Sequence, residues 1–180
     1  MMKLWRWLER AWGGKTLTKV LAGHQAPLFA LNGTNGHPFS LADALRKGPV
    51  MAAFFKITCP VCQFAFPFLE RLYKAYGDER VSFWGISQDD ARDTKEFCEE
   101  IGVSFPALLD EDGYPVSNQY SITNVPTVFL IAPNGEVLVS SVGFSKSDLE
   151  KISAELARHL GQKPAAAFRP DEVVPDYKPG

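Results

Sequence analysis

Hydrophobic positions change their period from segment to segment along the chain, and each change marks an element. Val50-Met51-Ala52-Ala53-Phe54-Phe55 is a continuous apolar run of strand length, the pattern of a strand buried on both faces. Val81 to Ile86 reads the same way. Between them Phe64, Phe66, Phe68, Leu69, Leu72, Tyr73 and Tyr76 supply the apolar surface of a helix, with Pro67 inside it as an expected kink. Asp89-Asp90 open a further helix that runs to Ile101 and stops at Gly102. Residues 105–109 read as extended, 110–113 as a turn, and a short helix follows to about Tyr120. Residues 127–132 and 136–142 are strands joined by Pro133-Asn134-Gly135, a hairpin signal. Ser147 to Leu160 is amphipathic and ends at Gly161.

Upstream, residues 28–31 and 37–39 flank Asn32-Gly33-Thr34-Asn35-Gly36 and predict a hairpin. Ser40 is a candidate N-cap for a short helix to Arg46, closed by Gly48-Pro49. Met1, Leu4, Trp5, Leu8 and Trp12 recur at helical spacing over residues 2–12, before Gly13-Gly14. Two readings stand: a helix lying on a membrane surface, or one docked on its own domain or a partner copy. The order βα, βα, β-hairpin, helix predicts an α/β fold, with a mixed sheet covered by helices on both faces. The expected domains are 1–21 (amphipathic helix and linker), 22–160 (the folded domain) and 161–180. That last segment holds Pro164, Pro170, Pro175 and Pro179 and reads as an extended tail, draped on the surface or disordered.

Composition narrows the function. The 180 residues carry a formal net charge of −2, which excludes a strong basic footprint for nucleic acid. At 46% hydrophobic and 22% charged the chain is ordinary for a globular protein. No window approaches the about 18 consecutive apolar residues of a spanning helix. Lys3, Arg6, Glu9 and Arg10 interrupt the apolar run of a signal peptide. The expectation is a cytoplasmic protein, or a periplasmic or membrane-associated one if the true start lies upstream.

Three cysteines, Cys59, Cys62 and Cys98, are too few for a disulfide framework. Two of them form Cys59-Pro60-Val61-Cys62 at the junction of a buried strand and a helix. Unpaired N–H groups and the positive end of the helix dipole converge on the first cysteine there. Both favour thiolate, and the first cysteine of such a motif can titrate at roughly 3.5–7.5 instead of about 8.5. Cys62, one turn on, comes within disulfide reach, and Pro60 suits the first helical turn. Cys59 is thus the candidate nucleophile and Cys62 the resolving thiol.

Four motifs follow one another in order: Gly23-His24-Gln25-Ala26-Pro27-Leu28-Phe29, the Cys-Pro-Val-Cys site, Pro67, and Val125-Pro126-Thr127. On these the sequence, over residues 22–160, resembles the thioredoxin fold. Within that fold it is similar to the TlpA-type thiol-disulfide oxidoreductases that border on the AhpC/TSA peroxiredoxins. The resemblance implies a thioredoxin-like α/β domain with an N-terminal β-hairpin extension and no cofactor. It also implies a cis proline at Pro126 lying against the cysteine pair. Val125 would then offer a backbone edge for substrate, with Thr58, Pro60 and Val61 lining the site. The implied partners are a protein or low-molecular-weight disulfide and an upstream thiol reductant. No nucleic acid and no membrane span is expected, and surface association through residues 1–12 stays open.

Two departures qualify the resemblance. Ala53 stands where thioredoxins proper carry a buried Asp, and Thr58 where they carry Trp. In the TlpA branch an acid after the second strand can move the proton, which makes Asp89 or Asp90 the candidate shuttle. Either can equally be a helix N-terminal residue favoured by the dipole. Lys56 could add positive charge near the thiolate or be solvated.

A peroxide reductase would carry Pro-x-x-x-Thr-x-x-Cys. Those positions hold Ala52 and Lys56 before Cys59, and Phe55 and Cys59 before Cys62. A zinc scaffold would need further ligands from Cys98, His24, His37 or His159, which form no second pair. No metal ligand is therefore assigned, and no histidine is given a catalytic role. Cys98 reads as a small buried hydrophobe or, alternatively, a second resolving thiol.

Overall fold

The structure is a computed structural model and describes residues 19–180. The helix expected over residues 2–12 lies outside the described residues. The elements are β1 (Ala30–Asn32), β2 (Pro38–Ser40), α1 (Leu41–Leu45), β3 (Val50–Phe55), α2 (Pro60–Tyr76), β4 (Ser82–Ser87) and α3 (Ala91–Ile101). They continue with β5 (Ala107–Leu109), α4 (Pro115–Gln119), β6 (Thr127–Ile131), β7 (Val137–Val142), β8 (Phe144–Ser145), α5 (Lys146–Leu160) and β9 (Tyr177–Lys178).

The central sheet has the order β5-β4-β3-β6-β7. Its β3, β4 and β5 are parallel, while β6 is antiparallel to both β3 and β7. The strand with the longest apolar run, β3, lies in the middle, and all six of its residues are buried. Its alternate residues face opposite ways, as the period of a strand requires. Met51, Ala53 and Phe55 join the core beneath α2, α3 and α5, with Phe66, Leu69, Phe97, Ile152 and Leu156. Val50, Ala52 and Phe54 join the opposite core, with Leu41, Trp84, Val116 and Tyr120. Helices thus cover both faces, which is why β3 could not show the hydrophobic–polar alternation of a half-exposed strand. The β1–β2 hairpin stands N-terminal to this sheet.

Caps set the helix ends. The Ser40 hydroxyl accepts from the Asp43 N–H, and Gly102 and Gly161 close α3 and α5 in the left-handed region. Helix α5 begins at Lys146, one residue before the position its pattern predicts, because Ser145 caps it by accepting from the Asp148 N–H. Helix α2 runs on through Pro67 to Tyr76.

Of the two readings of the proline-rich segment 161–180, draped on the surface or disordered, the structure shows the first: the segment packs on the domain. Ala167 is buried, Phe168 packs against Phe68 with ring centroids 5.1 Å apart, and β9 pairs antiparallel with β8.

Candidate active site

The site grows out of the end of β3. Beyond Phe55 the chain turns through Lys56-Ile57-Thr58, with the Cys59 N–H donating to the Lys56 carbonyl at 3.2 Å. Two side chains hold this turn. Asp89 Oδ2 accepts from the Ile57 N–H at 2.8 Å, and Gln63 Nε2 donates to the Ile57 carbonyl at 3.0 Å. Cys59 takes the extended backbone of an N-cap, and Pro60 occupies the first helical turn. The sulfur acts as the cap: Cys59 Sγ accepts from the Cys62 N–H at 3.3 Å. A thiolate formed there meets an unpaired helix N–H and the positive end of α2.

The facing wall comes from far along the chain. The Val125–Pro126 peptide is cis, and the Cys59 thiol donates to the Val125 carbonyl at 3.3 Å. The structure therefore brings together Cys59, Cys62, Val125 and Pro126, residues that span 66 positions between the first cysteine and Val125. Pro126 is buried and Val125 half-buried, while Thr58 and Pro60 are exposed and Val61 is half-buried at the helix start. All three cysteines are free thiols.

The two sulfurs of the pair differ in environment. Cys59 is half-buried, whereas Cys62 is fully buried in the core under α2. Burial, together with the hydrogen bond that its thiol donates to Cys59, pushes the Cys62 thiol far above its ordinary range. Cys62 is thus held toward the neutral thiol, and Cys59 is the more accessible sulfur of the pair.

The two candidate acids part company. Asp90 is the N-cap of α3, exposed, with Oδ1 accepting from the Asp93 N–H at 2.9 Å. Asp89 is half-buried, is bonded to the active-site turn, and its charge adds to the upward shift of Cys62. Lys56 lies with Nζ 5.4 Å from the ring centroid of Tyr114, beside α4. Cys98 packs at the edge of the core, its thiol pushed up to about 11 by burial and by Glu70 and Glu99.

Sequence reasoning missed Gln63, Asn124 and the segment 177–180. Gln63 lies one residue beyond the motif and carries no distinguishing pattern. Asn124 precedes the cis-proline dipeptide and donates through Nδ2 to the Gly180 carbonyl at 3.0 Å. Among the described residues no group of three or more His, Cys, Asp or Glu could hold a metal ion, and no helix is long and apolar enough to cross a membrane.

Comparison with known proteins agrees with this geometry. The thiol-disulfide oxidoreductase ResA of Geobacillus kaustophilus is 32% identical over 136 residues, covering 74% of this chain and 77% of that protein. ResA of Bacillus subtilis is 33% identical over 120 residues, 66% of each chain. Among solved structures, a thiol:disulfide interchange protein DsbE of Chlorobium tepidum superposes with a TM-score of 0.69 at 27% identity, over 79% of this chain and 100% of that one. The profile of the AhpC/TSA family matches residues 22–140. With the dithiol at a strand-to-helix turn and the cis proline opposite it, the chain belongs to the AhpC/TSA family, as a TlpA-type member with the thioredoxin fold.

Proposed function

We propose that the protein is a thiol-disulfide oxidoreductase in which Cys59 attacks a substrate disulfide and Cys62 resolves the product. The observation that carries this reading is the asymmetry of the pair. A reachable Cys59 Sγ sits between a helix N–H and the Val125 carbonyl, above a sealed Cys62.

The chemistry balances in two steps. The Cys59 thiolate attacks one sulfur of R–S–S–R′, forming a mixed disulfide with R and releasing R′–S⁻, which takes up a proton. Cys62 then gives up its proton and attacks Cys59 Sγ. The Cys59–S–R bond breaks, R–S⁻ leaves and is protonated, and a Cys59–Cys62 disulfide remains. Two electrons have passed to the substrate, and an upstream dithiol restores the pair. Resolution is the harder step for this fold, because the sealed Cys62 must ionise in place. Asp89, anchored through Oδ2, keeps Oδ1 without a protein partner among the described residues and is the candidate acceptor of that proton. Asp90 is spent on capping α3.

Substrate entry follows from the wall. The Val125 N–H makes no hydrogen bond among the described residues, so an extended substrate segment can add its carbonyl there, with Thr58, Pro60 and Val61 around the sulfur. The partner is a protein or low-molecular-weight disulfide, and in a reducing cytoplasm the pair acts as a reductase. Peroxide reduction is not supported, since Ala52 and Lys56 replace the Pro and Thr of a peroxidatic site.

The test is reduction of insulin and of glutathione disulfide with dithiothreitol as donor, beside peroxide turnover and the reduction potential of the 59–62 pair. Disulfide turnover lost on Cys59→Ser supports the reading. Turnover that survives this substitution refutes it.

A further inference from the structure

The segment that follows α5 returns along α2 to the edge of the active site, held at every stage. Arg71 bonds Glu172 with both guanidinium nitrogens, at 2.6 and 2.5 Å, and also donates to the Ala167 carbonyl at 3.2 Å. The Phe168 ring packs on Phe68 and Phe144. The Lys146 N–H donates to the Asp176 carbonyl at 2.9 Å, and Tyr177–Lys178 then pairs with Phe144–Ser145. Lys178 Nζ lies 5.0 Å from the ring centroid of Phe64 on α2.

The last residues approach the catalytic edge backbone to backbone. Gly143, at φ +77°, has no room for a β-carbon, because the Lys178 carbonyl occupies that space. A β-carbon on Gly180 would lie 2.6 Å from the Val125 carbonyl oxygen, the atom that accepts from Cys59. The Gly143 N–H donates to the Pro126 carbonyl at 2.7 Å, so the turn that the segment covers is itself bonded to the cis proline. The strand edge of Phe144–Ser145 is used up by β9 and closed to strand addition by a substrate.

We propose that residues 175–180 form one wall of the substrate groove and set its selectivity: they mask the Gly143–Ser145 edge beside the cis proline, admit small or narrow extended disulfides to Cys59, and exclude bulky protein disulfides. The segment is an added wall and not part of the core. Tyr177 and Gly180 are exposed, and the described contacts of residues 175–180 are backbone pairing, the Asn124 bond and the Lys178–Phe64 contact.

This inference rests on the dithiol reading, and the two can fail separately. The experiment compares the full chain with one that stops at Val174, which keeps Phe168 and the Arg71–Glu172 pair. Each is assayed for kcat/KM on glutathione disulfide and on insulin. The insulin-to-glutathione ratio should rise at least about fivefold in the shortened chain, with the glutathione disulfide rate held within about twofold. Glu172→Gln, which loosens the same segment without removing it, should move the ratio in the same direction by less. It carries the test alone if the shortened chain does not fold. A ratio that stays level or falls overturns the selectivity wall. Absence of glutathione disulfide turnover from both chains overturns the dithiol reading and the wall with it.

Discussion

Asp89→Asn separates a proton acceptor from a structural strut, because the two roles predict opposite signs. The asparagine keeps an oxygen able to accept from the Ile57 N–H, now at 2.8 Å from Oδ2, but removes the charge. A hydrogen bond to a charged group contributes about 1.5–3 kcal/mol and a neutral one about 0.5–1.5, so the substitution costs roughly 1 kcal/mol of stability. For a chain of this length that is a fall of about 2–4 °C in Tm. The chemistry then divides. The Asp89 charge is one of the causes that raise the Cys62 thiol, so if its influence were only electrostatic, removing it would ease ionisation of Cys62 and speed resolution. If Asp89 takes the Cys62 proton, resolution loses a general base, a contribution of about 10²–10⁴ in rate. The mixed disulfide on Cys59 should therefore live at least about tenfold longer in the variant. The assay mixes reduced protein, in a Cys98→Ser background, with glutathione disulfide, quenches in acid, alkylates, and counts the glutathione adduct on Cys59 by mass spectrometry over time. An adduct lifetime that is unchanged or shorter, in a variant whose Tm has dropped as expected, refutes the shuttle and leaves Asp89 a strut for the active-site turn.

Other consequences follow from the same geometry. Cys62→Ser should trap the mixed disulfide on Cys59, whereas Cys59→Ser should form none, because Cys62 is sealed; adduct mapping by mass spectrometry distinguishes them, and an adduct on Cys62 would contradict the assignment. The raised thiols set an alkaline limit. A group with a raised folded-state pKa contributes stability that is fully present below its unfolded value and is lost as pH rises toward the folded one. For Cys98 that window runs from 9.0 to about 11, and for Cys62 it starts at 9.0 and extends higher. The Tm of the reduced protein should decline from about pH 9, and Cys98→Ser should flatten the decline up to about pH 11. Gly48→Ala should cost at least about 2 kcal/mol in denaturant unfolding, because the added carbon falls on the Arg80 carbonyl beside the start of β3; an unchanged midpoint would contradict that packing.

How much of this was legible beforehand depends on how far apart the interacting groups lie. The run from Val50 to Phe55 announced a central strand, because burial on both faces leaves no polar position. Ser40, Gly102 and Gly161 announced helix ends, because a cap is satisfied within one turn. The pair Asp89-Asp90 announced a helix start but not which acid does what. Asp90 bonds three residues along the chain and Asp89 reaches thirty-two residues back, and nothing local separates the two.

Length, patterning and a two-residue spacer between thiols were enough to determine an α/β domain with a dithiol at a strand-to-helix turn, since period, capping and turn chemistry all act between near neighbours. Only the tertiary structure decided that Cys62 is buried while Cys59 is half-buried, that the Val125 carbonyl stands 3.3 Å from Cys59 Sγ, and that residues 177–180 pack against β8 and the Val125 carbonyl. Those outcomes depend on burial and on contacts between segments that the sheet brings together. A proline-rich composition states that a segment will be extended, and it takes the Arg71–Glu172 pair, the Phe168 ring and the open edge of β8 to decide where it lies.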